Sequence, residues 1–248
     1  MTNQSAPAVS VAQRPPPYRC SALYRRHLAQ GATMTERYGW RTAAHFTFTD
    51  DDARRVRAAA GLADVSWLGK LDVQGTQTDN ATGRLEHVLG APSSRVAGTA
   101  PGLPRQVWPL GHGHALVTCS SDERMDVAAR ISAPVDSPAT CLHVTDVTSV
   151  YAALLLAGPH ARAVLHKLTA VDVEPPALPN RIAVQAGVAD AHTIVLRADL
   201  GAAADVPGYW LLFAREYGEY MWDTVLHAGH QHGIIPFGLG ALDALGGR

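Results

Sequence analysis

Cysteine is scarce in this chain. The 248 residues include three, Cys20, Cys119 and Cys141, odd in number, far apart and without a CxxC pair. That excludes a disulfide framework and points to free thiols in a reducing compartment. An excess of one charge is also absent: 21 Lys and Arg stand against 22 Asp and Glu, for a formal net charge of -1. Such a chain has no field that would concentrate a polyanion, so nucleic acid is not expected as a partner. Long hydrophobic runs are missing too. The longest, Val150 to Ala157, falls far short of the roughly 20 residues a membrane helix needs, and the polar opening Met1 to Pro17 lacks the basic start and apolar stretch of an export signal. The expectation is a cytoplasmic protein without a membrane partner, with residues 1–20 as a flexible tail.

What is present is ordinary for a soluble globular protein: 47% apolar and 17% charged residues. At roughly 100–200 residues per domain, the length permits one large domain or two small ones. Ser21 to Gln30 has helical spacing and is closed by Gly31. Asp50, Asp51 and Asp52 load acid onto the start of a helical segment, Ala53 to Ala60, as the helix dipole favours. Val65 to Val73 has β-type apolar content bounded by Gly61 and Gly75.

A repeat organises the rest. Asp64-Val65-Ser66 opens a strand-like run followed by the helical stretch Asp79 to Leu89. Asp146-Val147-Thr148 opens YAALLLAG, followed by the helical stretch Ala161 to Leu168. Each copy continues to a second strand and helix, HALVTC with Asp122 to Ile131 and YWLLFA with Glu216 to Ala228. One unit used twice, with short half-polar strands, implies an α+β fold of two pseudo-duplicated lobes of mainly antiparallel sheet flanked by helices. Pro- and Gly-rich runs at 98–104, 132–138 and 174–179 read as loops.

Chemical motifs are thin. His112 and His114, and His227, His230 and His232, have spacings that bring imidazoles together, but no acid or cysteine accompanies them, so no metal is assigned. Gly238-Leu239-Gly240 follows a helix and lacks the third glycine of a dinucleotide loop. There is no GxSxG, which removes support for a serine nucleophile. Asp64, Asp72, Asp146, Asp199 and Asp205 are carboxylates in apolar surroundings. The recurrence of Asp64 and Asp146 gives these two a structural role, accepting backbone N–H bonds where a strand begins.

Four segments, LYRRHLAQGATMTERYGW, VRAAAGLADVSWLGKLDVQG, TDVTSVYAALLLAGPHARAVLHKLT and GYWLLFAREYGEYMWDTVLHAGHQHGIIPFGLGALDAL, together resemble the glycine-cleavage T-protein (aminomethyltransferase) superfamily. That superfamily includes the folate-binding half of the sarcosine oxidase alpha subunit, and the first two segments look closest to this branch. The resemblance implies a T-protein-like folate-binding fold, with 21–63 plus 141–248 as a first lobe and 64–140 as a second, inserted lobe. In the full-length family a C-terminal barrel domain follows the GLGA segment, and this chain stops just past it, so a form without the barrel is expected.

The resemblance also implies a site. Tetrahydrofolate is the cofactor, and Leu68, Thr118, Arg197 and Tyr209 match positions that line its pocket. The family's catalytic aspartate lies in a GGIVDD-like stretch. Here Gly98 to Cys119 carries no acid, so no catalytic residue is assigned. The family's pterin-gripping glutamate falls near Val206, and the arginine of its GLGARD motif falls at Leu242. Two functions follow as expectations. One is a tetrahydrofolate-binding component of aminomethyl or methyl transfer, or of amine demethylation, acting on folate and a small amine or methyl donor. The other is a non-catalytic T-protein-like subunit that assembles with a flavin amine oxidase or another protein.

Overall fold

A computed structural model of the chain describes residues 18–46, 51–75, 85, 89, 105–133 and 142–246. Among the described residues, the strands form three sheets. The smallest joins β1 (Arg19–Cys20) to β3 (Trp40–His45) in parallel and β3 to β2 (Thr33–Arg37) in antiparallel. The helix expected near the start forms over Tyr24–Ala29 (α1), and that expected after the Asp run forms over Asp52–Ala58 (α2).

The four-stranded sheet has the order β6-β7-β5-β8: Gln106–Gly111, His114–Cys119, Gly69–Gln74 and His143–Asp146. The six-stranded sheet runs β10-β11-β12-β9-β4-β13: Ala183–Val188, Ala191–Arg197, Gly208–Ala214, Tyr151–Ala157, Ala60–Asp64 and Ile234–Pro236. All its pairings are antiparallel except β13 with β4. The two copies of the repeat share a topology. In each, the leading strand (β5, β9) pairs with a later one (β7, β12), which leads into a helix: α3 (Arg124–Ser132) and α5 (Gly218–Gly229). Of the helix expected over 79–89, only Leu85 and Leu89 are described; both are helical and buried. Its counterpart, α4, is Ala161–His166.

The apolar run of β9 is continuous because both faces of its sheet are covered. Ala152, Leu154 and Leu156 face an outer cluster with Val164 and Leu165 of α4 and Met221, Trp222 and Val225 of α5. Ala153, Leu155 and Ala157 face inward. There they join Trp210 and Leu212 of β12, Trp108 and Leu116 of the four-stranded sheet, and Leu239, Leu242 and Leu245 of α6 (Leu239–Leu245). The outer face of the four-stranded sheet has its own cluster, where Leu71, Val73 and Val117 meet Val127 and Ile131 of α3. The layers are therefore helices, sheet, sheet, helices, with one apolar core between the sheets.

The chain crosses between these sheets at both copies of the repeated tripeptide. β4 ends at Asp64 in the six-stranded sheet, and β5 starts at Gly69 in the four-stranded one; β8 ends at Asp146 in the four-stranded sheet, and β9 starts at Tyr151 in the six-stranded one. Each copy thus lends a strand to the other's sheet. Among the described residues, no helix is long and apolar enough to cross a membrane.

Candidate functional site

The two crossover turns meet where the sheets adjoin, and each repeated residue has the same task in both. Asp64 Oδ1 accepts the Ser66 N–H at 3.0 Å, and Asp146 Oδ1 accepts the Thr148 N–H at 2.9 Å. The aspartates do accept backbone N–H bonds, but at the end of a strand where the chain turns, and not at its beginning. Ser66 Oγ accepts the Ala153 N–H at 3.1 Å, while Thr148 Oγ1 accepts the Lys70 N–H at 3.0 Å. The intervening valines complete the pattern: Val65 N–H donates to the Ala153 carbonyl at 2.9 Å, and Val147 N–H donates to the Lys70 carbonyl at 3.0 Å. Each turn therefore grips the leading strand of the other copy.

Charged groups surround this junction. Asp64 is buried, and its Oδ2 receives Ser21 Oγ–H at 2.5 Å and lies 3.0 Å from His27 Nε2. Burial pushes its carboxyl up, but the His27, Ser21 and Ser66 hydrogen bonds outweigh this and hold it below the usual carboxylate range. Ser21 and His27 share one aspartate oxygen and do not bond each other, so this is not a nucleophile with its base. Lys70 is fully buried, and its Nζ donates to the carbonyls of Ser66 and Leu68 at 3.0 and 2.9 Å. Burial lowers its ammonium to about 7, against the opposing pull of Asp64 and Asp146. Sequence reasoning passed over Lys70 and His27. The repeated Asp-Val-Ser/Thr was the signal that could have led to them.

The four residues matched to a folate pocket do not converge. Leu68 is packed in the inter-sheet core. Thr118 lies on β7, and its Oγ1 accepts Trp108 Nε1–H at 2.9 Å. Arg197 and Tyr209 are cross-strand partners on β11 and β12, and Tyr209 belongs to the cluster on the opposite, helix-covered face of the six-stranded sheet. Arg197 is also paired. Its Nε and Nη2 donate to Asp199 at 2.6 and 3.1 Å, and its Nη1 donates to Tyr209 Oη at 2.9 Å.

Val206 and Leu242 are buried and belong to the same apolar cluster as Leu68, Trp108 and Trp210. The histidine groups do not gather: His114 Nε2 lies 2.6 Å from Asp72 Oδ1, and His232 contacts the His160 ring. Among the described residues, no three His, Cys, Asp or Glu side chains are placed to hold a metal. Cys119 is buried and free, and Cys20 is free; Cys141 lies outside the described residues.

The GCVT N-terminal domain family matches residues 23–90 and 106–246. The chain belongs to that family. This GCVT chain is similar to the aminomethyltransferases of Moorella thermoacetica and Desulforamulus reducens, 29% identical to each over alignments that cover 90% of this chain and 62% of each relative. The chain thus spans about 62% of the length of these curated relatives. In fold, it is similar to the glycine cleavage system aminomethyltransferase T of Bartonella henselae, with TM-score 0.69, 17% identity and coverage of 92% of this chain and 62% of that one. It is also similar to a chain of the heterotetrameric sarcosine oxidase of Corynebacterium sp. U-96, with TM-score 0.60, 16% identity and coverage of 86% of this chain and 95% of that one. The α+β T-protein-like fold expected from the sequence is therefore established.

The residues present do not fit tetrahydrofolate as the resemblance would place it. Leu68, Val206 and Leu242 are buried members of one apolar cluster, and the guanidinium of Arg197 is already paired. A pterin edge left without partners costs about 1–3 kcal/mol per group.

Proposed function

We propose that this GCVT chain is a non-catalytic, T-protein-like subunit that assembles with a partner such as an amine oxidase. The observation that carries this reading is the joining of Leu68, Val206 and Leu242 in a single core with Trp108 and Trp210. Three positions that the family resemblance assigns to a pterin pocket serve packing here. The absence of an acid from Gly98 to Cys119 supports the same reading, as does the likeness to nearly the whole of one chain of a heterotetrameric oxidase. The test is recovery of the tagged full chain from its native cells. A flavin-containing oxidase subunit at fixed stoichiometry supports the proposal, and elution as a lone monomer contradicts it.

Family membership and the aminomethyltransferase relatives favour a second reading, tetrahydrofolate-dependent transfer of a one-carbon group from a small amine or methyl donor. It requires the apolar cluster that holds Leu68, Val206 and Leu242 to open for the cofactor. Production of methylene- or methyltetrahydrofolate from such a donor by the purified chain would establish it.

A further inference from the structure

A small pocket opens to solvent where the two crossover turns meet, lined by Ser21, Trp40, Ser66, Ser149, Tyr151 and Arg215 among others. It has room for about one oxygen-sized group. Polar groups with N–H or O–H to spare line it. Ser66 Oγ accepts the Ala153 N–H, which leaves its own proton free to donate, and the Ser149 hydroxyl makes no hydrogen bond among the described residues. Arg215 is exposed. Its guanidinium reaches the Ser149 carbonyl at 3.4 Å and pairs with no carboxylate among the described residues, while its backbone N–H is fixed to the Val150 carbonyl at 3.0 Å.

No carboxylate lines this pocket. The neighbouring acids are already engaged, Asp64 by His27, Ser21 and Ser66 N–H, and Asp146 by Arg124 at 3.0 Å and Thr148 N–H. Space for one oxygen, hydroxyls on Ser66 and on the exposed Ser149, and a guanidinium without a carboxylate partner among the described residues match a planar carboxylate.

We propose that this pocket binds the carboxylate of a small organic acid. One oxygen enters to meet the Ser66 and Ser149 hydroxyls, and the other remains at the rim on the Arg215 guanidinium. The rest of the ligand projects into solvent past Trp40 and Tyr151.

The experiment is a titration of the full chain with sodium acetate, followed by amide chemical shifts, with sodium chloride at equal ionic strength as reference. Saturable shifts at Ser149 to Tyr151 and at Arg215, with a millimolar dissociation constant, are expected. Arg215→Gln should weaken binding about tenfold or more, and Ser149→Ala should weaken it less. Both residues are exposed, so the melting temperature of either variant should stay at the wild-type value. Shifts equal to those with chloride, acetate binding undiminished by Arg215→Gln, or phosphate binding as tightly as acetate would each overturn the proposal.

Discussion

The hydroxyl of Ser66 holds the backbone N–H of Ala153 at 3.1 Å, across the boundary between the two copies of the repeat. Thr148 does the same for Lys70 at 3.0 Å. Each hydroxyl satisfies a buried strand donor that has no other partner in reach, so removing either leaves that N–H unpaired. Ser66→Ala and Thr148→Val should each cost about 1–3 kcal/mol in denaturant unfolding, whereas Thr148→Ser, which keeps the acceptor, should cost less.

The closed core makes a second prediction at the positions where the resemblance places charge. Val206→Glu and Leu242→Arg each put an ion among apolar side chains that offer it no partner. Either substitution should destabilise the chain by about 3 kcal/mol or more in equilibrium unfolding. Tolerance of both charges without loss of stability would mean that an open, solvated pocket lies there.

Lys70 gives the stability a pH dependence of definite sign. Burial lowers its folded pKa to about 7 from an ordinary value of 10.5, so above pH 7 the unfolded chain binds the proton more strongly than the folded one. Stability should therefore rise with pH, by up to about 1.4 kcal/mol per pH unit. Below pH 7 both states hold the proton and this slope disappears. Cys119, pushed up to about 12 chiefly by burial, opposes the trend above about pH 9, where an unfolded thiol ionises. Unfolding curves between about pH 7 and 8.5 should show the rise in the wild type and not in Lys70→Met.

The hairpin of β10 and β11 turns through two residues, Ala189 and Asp190, with φ of 47° and 63°. Both lie in the left-handed region that a two-residue hairpin turn of this kind requires, and neither side chain suits it as well as Asn-Gly does. The double variant Ala189→Asn, Asp190→Gly should raise stability by about 0.5–1 kcal/mol, visible as a higher melting temperature.

The fold was legible because its signals are local and repeated. YAALLLAG and YWLLFA are apolar on both faces and became the middle of the six-stranded sheet, and Asp-Val-Ser and Asp-Val-Thr marked equivalent points of the two copies. The exchange of β4 and β8 between sheets was not legible, because strand partners depend on contacts distant in sequence. The hydroxyls of Ser66 and Thr148 do not reveal which strand they grip. The site was legible only one residue at a time. Arg197 and Tyr209 are indeed partners, but strand alternation turns Tyr209 away from the core that holds Leu68. Lys70 escaped notice because a single lysine in GKLDVQG reads as a solvated residue, and only the stacking of two sheets buries it.

Isothermal titration calorimetry of the full chain with tetrahydrofolate, under anaerobic conditions, tests the central claim most directly. With Leu68, Val206, Leu242 and the tryptophans buried in one apolar cluster, no saturable heat is expected up to millimolar ligand. A saturable heat at micromolar concentration would show that the core opens to receive the cofactor, contradicting the account.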